Sequence, residues 1–98
     1  MSSRLTDDAV AAALRDLPGW TRRGDTLYAT FTFRDFATAF AFMTRVAAVA
    51  EQQQHHPDWR NLWSKVEISL STHDAGGLTE RDLKLARSIA ELARSQVH

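Results

Sequence analysis

The stretch RDFATAFAFMTRVAAVAEQQQHHP, residues 34–57, constrains the fold more than any other part of the chain. Phe36, Phe40, Met43, Ala47 and Ala50 recur at i, i+4, i+7, i+11 and i+14, one face of an α-helix, and Phe42, Val46 and Val49 form a second apolar row beside it. Asp35 stands where an N-cap belongs, and Pro57 bars the helix from continuing because it biases His56 away from helical geometry. So wide an apolar face exceeds what one sheet needs. Either the helix is buried on two sides within the monomer, or part of it meets another subunit. In a chain of 98 residues, which buries a smaller fraction of its surface than a longer one, an oligomer interface is one way to finish the core.

On both sides of this helix the period changes to two. Leu27, Ala29, Phe31 and Phe33 alternate with Tyr28, Thr30 and Thr32, and Arg23-Gly24-Asp25 reads as a turn joining this strand to a short one at 20–22 rather than as a cell-adhesion tripeptide. Beyond Pro57 a short strand is expected around 59–63. A longer one follows at 65–72, where Val66, Ile68, Leu70 and Thr72 alternate with Lys65, Glu67, Ser69 and Ser71. Their link at Ser64 contains neither glycine nor proline, so its turn type is open. The N-terminal helix is capped by Thr6, carries Asp7 and Asp8 in its first turn and a Leu5–Val10 staple, and stops near Pro18 and Gly19. The last helix opens at Thr79, with Leu85, Ile89 and Leu92 on one stripe and Ala86, Ala90 and Ala93 beside it.

The order α-β-β-α-β-β-α predicts an α+β fold, one domain over residues 1–98, with a four-stranded antiparallel sheet and three helices packed on its apolar face. Tyr28, Thr30, Thr32, Lys65, Glu67, Ser69 and Ser71 are left on the opposite face, which is wet or used.

Composition narrows the function. Basic and acidic residues number 12 each, so no overall field favours nucleic acid or an anionic membrane. The absence of cysteine removes disulfides, thiolate zinc sites and cysteine nucleophiles. MSSRLTDDAVAAALRDL has no apolar run long enough for a signal peptide, and no stretch reaches a membrane span, so a cytoplasmic protein is expected.

The chemistry-bearing candidates gather at segment ends. His55, His56 and His73 can exchange protons near neutral pH, which suits general acid or base catalysis; adjacent histidines at a helix exit can also simply cap carbonyls or face solvent. His98 is the last residue and is expected to fray. A metal site is disfavoured, since neighbouring side chains such as His55 and His56 point apart. Glu51 lies four residues before His55, on the same side of a continuing helix. Thr79 and Asp82 in LTERDL have capping-box spacing, with Leu78 and Leu83 as the staple, and a carboxylate there can also orient a histidine or a substrate. Trp59 and Trp63 should share a strand face, as core or as the flat wall of a site for a heteroaromatic ring; for Trp59, just behind His-His-Pro, the wall is the preferred reading. Ser71 and Thr72 lie beside His73 as supporting candidates, with no glycine elbow or triad to mark a nucleophile.

Glu51, three residues, His55, His56 and Pro57, then five residues to Trp63, nine more to His73 and eight more to Asp82, closely resembles the pattern of the pterin-4a-carbinolamine dehydratases. The flanks FRDFATAFAFMTRVAAVAE and KVEISLSTHDAGGLTERD are similar to that family as well, and the likeness runs from about Trp20 to Ile89. The resemblance implies a lyase that removes water from 4a-hydroxytetrahydropterin, the product left by an aromatic amino acid hydroxylase, and yields quinonoid dihydropterin without metal or organic cofactor. It implies that His55 and His73 form the acid and base pair, that His56 binds the pterin, and that Glu51, Trp59 and Asp82 line or support the pocket. It also implies a dimer or tetramer, which would account for the row of Phe42, Val46 and Val49. Vertebrate relatives double as dimerisation cofactors for a homeodomain transcription factor, so a protein-binding or assembly module is the alternative. Strict alternation leaves one difficulty: it puts His73 on the polar side of its strand, so the strand end must twist or stop for His73 to meet His55.

Overall fold

The computed structural model describes residues 3–96. Its elements are α1 (Asp7–Leu14), β1 (Thr21–Arg23), β2 (Thr26–Thr32), α2 (Phe36–Gln53), β3 (Asp58–Leu62), β4 (Lys65–Leu70) and α3 (Glu80–Ser95), the α-β-β-α-β-β-α order of the sequence reading. His98 lies outside the described residues. The strands pair antiparallel in the order β1-β2-β4-β3, so both hairpins survive as neighbours and β2 and β4 meet in the centre.

Each hairpin is closed by two residues. Gly24 takes a positive φ of 61° between Arg23 and Thr26, a conformation that costs glycine little. The second turn reaches the same geometry with a bulky residue, Trp63 at φ 53°, and is held by Asn61, whose amide donates to the carbonyls of Trp63 and Lys65 at 2.9 Å each. The turn also ends β3 one residue short of the expected 63. The two indoles therefore do not share a face: Trp59 is half-buried opposite Ile68, whereas Trp63 is 67% exposed.

Leu27, Ala29, Val66, Ile68 and Leu70 turn their side chains to the helices and are buried, as the period-two pattern requires. On α2 the row that faces them is Ala39, Phe42, Val46 and Ala50, and Phe42 packs its ring 5.3 Å from Phe31 and 4.9 Å from Phe33. This corrects the expectation that Phe42, Val46 and Val49 serve an oligomer: Phe42 and Val46 are completely buried within the monomer and Val49 packs against that core. Of the first row Ala50 is buried and Met43 packs against the core, and only its start is left outside, with Phe36 and Phe40 about half exposed and their rings 5.8 Å apart. The physical reason is α3, which packs beside α2 and supplies Leu85, Ala86 and Ile89 as a second cover.

The opposite sheet face is polar and cross-linked. Tyr28 donates its hydroxyl to Glu67 Oε1 at 2.8 Å, Arg60 donates to Glu67 Oε2 at 2.9 Å, and the Arg23 guanidinium sits 3.6 Å above the Tyr28 ring. The Tyr28 hydroxyl holds the Glu67 carboxyl below the usual range. Among the described residues no helix is long and apolar enough to cross a membrane.

Candidate functional site

The site is assembled where α2 stops. Gln54 adopts the left-handed conformation (φ 52°, ψ 41°), its N–H donates to the Glu51 carbonyl at 3.1 Å, and the His55 N–H donates to the Ala50 carbonyl at 3.1 Å. These two bonds form a Schellman motif, a termination usually built on glycine. Arg81, at the start of α3, donates to the Gln54 carbonyl at 2.6 Å and fixes the reversal from outside. The helix thus ends at Gln53, before Pro57 can act, and this redirects the side chains. The expected pairing of Glu51 with His55 needs a continuing helix and does not form; Glu51 accepts from His56 Nε2 instead, at 2.7 Å.

His55 turns inward to the N-terminus of α3. Its Nε2 lies 2.6 Å from Asp82 Oδ1, while Asp82 Oδ2 accepts from the Thr72 hydroxyl at 2.7 Å and from the Thr79 N–H at 2.9 Å. The latter bond is one half of the capping box around the N-cap Thr79, whose Oγ1 also accepts from the Arg81 N–H, so Asp82 braces the start of its helix and holds the histidine at once. The hydrogen inventory fixes directions. Thr72 has one hydroxyl proton and gives it to Asp82, so Thr79 is the donor in the 2.9 Å contact between the two threonine oxygens. An ionised Asp82 is an acceptor at both oxygens, which assigns the proton to His55 Nε2 and leaves Nδ1 of a neutral ring unprotonated. Every member of this network is buried.

Thr72 is placed by the end of β4. The regular strand stops at Leu70, Thr72 makes an isolated antiparallel bridge with Gly77, and the residues between form a 3-10 turn at His73–Ala75 that closes on Gly76 with φ 70°. The regular strand terminates, but the alternation carries on through it: Thr72 remains inside and His73 is exposed, on the rim of the cavity that His55 also lines.

The result is an open cavity of about 250 Å3 lined by Gln54, His55, His56, Ser71, Thr72, His73, Asp74 and Arg81. It brings together the three candidate histidines with Ser71 and Thr72. Glu51 and Asp82 stand behind it, each bonded to one of its histidines. Trp59 is not among the lining residues; it lies on β3, half-buried and packed against the core. Gln54 and Arg81 were missed. A non-glycine helix terminus carries no composition signal, and Arg81 reads in sequence as an ordinary first-turn residue.

Such a site, a polar recess with three imidazoles of which one is fixed by a buried carboxylate, holds the kinds of group that acid–base chemistry on a small molecule requires. Comparison with known proteins gives the family. Residues 3–92 match the model of the pterin 4 alpha carbinolamine dehydratase family, and the chain belongs to that family. It is 55% identical over 95 residues to a protein of Afipia carboxidovorans (95% of either chain covered) and 50% identical over 91 residues to one of Thermomicrobium roseum (93% of this chain, 98% of the relative). Both carry the provisional name pterin-4-alpha-carbinolamine dehydratase. Among solved structures, a transcriptional coactivator/pterin dehydratase from Brucella melitensis superposes with a TM-score of 0.90 at 41% identity, covering 93% of this chain and 99% of its own. A pterin dehydratase-like protein identified as a RuBisCO assembly factor in the alpha-carboxysome is more distant, with a TM-score of 0.64 at 26% identity over 79% of this chain and 89% of its own.

Proposed function

We propose that the protein dehydrates 4a-hydroxytetrahydropterin to quinonoid dihydropterin and water, regenerating the pterin used by an aromatic amino acid hydroxylase. The observation that carries this reading is the convergence of His55, His56 and His73 on one cavity, with His55 backed by the buried Asp82. The reaction breaks the C4a–O bond, loses the N5 proton and forms the C4a–N5 double bond. An acid must therefore protonate the departing hydroxyl while a base accepts the N5 proton. His55, with Nδ1 unprotonated and a carboxylate behind Nε2 to stabilise the imidazolium, fits the base. His73, exposed on the rim, fits the acid, and His56, steadied by Glu51, holds the ring.

The test follows decay of the 4a-carbinolamine generated in situ by a hydroxylase. The protein should accelerate it, and His55→Ala and His73→Ala should each cost on the order of 10² in rate. No acceleration over buffer would end the dehydratase reading.

A second reading, a non-catalytic assembly module, draws on the carboxysome relative and on the exposed Phe36, Phe40, Leu62 and Trp63, the large apolar side chains that α2 and the β3–β4 turn leave in solvent. The same residues are the surface on which we propose homo-oligomers form. A stoichiometric foreign protein partner in the host, together with absent pterin turnover, would favour this reading.

A further inference from the structure

The turn that carries His73 has little of its own to hold it. Its hydrogen bonds run within the backbone, from the Ala75 N–H to the Thr72 carbonyl at 3.1 Å, from the Gly76 N–H to the His73 carbonyl at 3.0 Å, and across the Thr72–Gly77 bridge. None of His73, Asp74 and Ala75 is buried, so no side chain of the turn anchors it in the core. The bond that reaches it from a distant part of the chain comes from Arg4, whose Nη1 donates to the Gly76 carbonyl at 3.4 Å. At that length and in solvent it is weak.

The stem of Arg4 makes the closer contact. It lies over the buried Gly77, so near that a Cβ there would stand 2.6 Å from Arg4 Cδ and 3.1 Å from Cγ. The stem therefore takes the place that a side chain at residue 77 would fill. Arg4 is itself set in register, because Leu5 donates its N–H to the Leu78 carbonyl at 2.7 Å and packs against the core. The segment leading into α1 thus runs beside residues 76–78 and covers the exit of the turn. We propose that Arg4 is a positioning residue, whose stem holds the 73–77 turn and through it fixes where His73 stands on the rim of the cavity. This rests on the dehydratase reading for what His73 does, and the contact itself does not depend on that reading.

The experiment is a pair of double-mutant cycles read in kcat, KM and amide exchange. Arg4→Ala should lower kcat about 5-fold, short of the roughly 10² that an ångström of misplacement can cost, and leave KM unchanged. Arg4→Met keeps the stem without the donor and should retain most of kcat. In a His73→Ala background Arg4→Ala should cost nothing further, since the side chain through which it acts is gone. Gly77 has no positive φ to preserve, and the next atom a Cβ would meet, Asp25 Oδ1 at 3.4 Å, is at contact distance, so Arg4 is what alanine displaces there. Gly77→Ala should therefore match Arg4→Ala, and the two together should lose no more than either alone. Hydrogen exchange at the Ala75, Gly76 and Gly77 amides reads the hold without turnover and should be about 5-fold faster in Arg4→Ala. Full kcat in Arg4→Ala, or the same loss with and without His73, overturns the inference; the latter would mark a general effect on the fold. If no variant dehydrates the substrate, the dehydratase reading falls, and the exchange rates still decide whether Arg4 holds the turn.

Discussion

His55 and His56 are neighbours, and each meets a carboxylate through Nε2 at nearly the same distance, 2.6 Å to Asp82 and 2.7 Å to Glu51. What separates them is water. The side chains of the first pair are 8% and 0% exposed, those of the second 64% and 76%. Away from solvent an unmade hydrogen bond cannot be replaced, so the buried pair fixes one ring orientation and one proton position. The solvated pair is screened and can be remade with water, so it steadies a side chain without committing it. One dipeptide at a helix end thus supplies a rigid, buried imidazole and an adjustable, exposed one, which suits the separate roles we propose for them. The fold achieves this by ending α2 at Gln53 and turning the chain at the left-handed Gln54, which sends consecutive side chains in different directions.

The comparison breaks most severely at Asp82. Replacing it by alanine strands His55, Thr72 and the Thr79 N–H without their shared acceptor and removes one half of the α3 capping box. The expected loss is about 3–5 kcal/mol, measured by urea unfolding. Glu51→Ala should cost less than about 1 kcal/mol in the same measurement. Equal losses would mean that burial does not distinguish the pairs. The next largest effect is kinetic. His55→Ala should lower kcat by on the order of 10², as expected for a lost general base. His56→Ala should act mainly through KM, because a residue that binds ground and transition states alike changes KM before kcat. A fall in kcat for His56→Ala as large as that for His55→Ala would make the two histidines equivalent.

The sequence carried this contrast only in part. The elements were legible because their periods were clean: Leu27 through Phe33 and Val66 through Leu70 alternate, and α2 has its cap at Asp35, whose carboxylate accepts from the Thr38 N–H at 2.8 Å. The site histidines were legible as a spacing. Which carboxylate each would meet was not, because that depends on the residue at which α2 stops, and Gln54 in a left-handed conformation has no glycine to announce it. The two apolar rows of α2 were ambiguous for a related reason. Periodicity shows that two apolar rows exist, and only the way α2 lies against the sheet and α3 decides that Phe42 and Val46 are inside while Phe36 and Phe40 are outside. Trp59 and Trp63 failed on one residue, since a turn at Trp63 ends the alternation that would have aligned them.

The smallest expected effect sharpens the comparison by titration. Asp35 is the exposed N-cap of α2, whereas Asp82 braces the start of α3 from a buried position, and the hydrogen bonds from Thr38 hold the Asp35 carboxyl below the usual aspartate range. A folded value lower than the unfolded one means the cap's contribution is fully present above the ordinary aspartate value of about 3.9 and is lost as pH falls through the folded value. Asp35→Asn keeps a capping oxygen and removes the titration. Its thermal midpoint should stay close to the wild type's at neutral pH and decline less steeply below about pH 4, which a series of melts across that range would read. A parallel acid limb in both proteins would show that solvent already cancels the Asp35 bonds. The tolerance of an exposed carboxylate to loss of its charge would then contrast still more sharply with Asp82, whose three donors have no water to turn to.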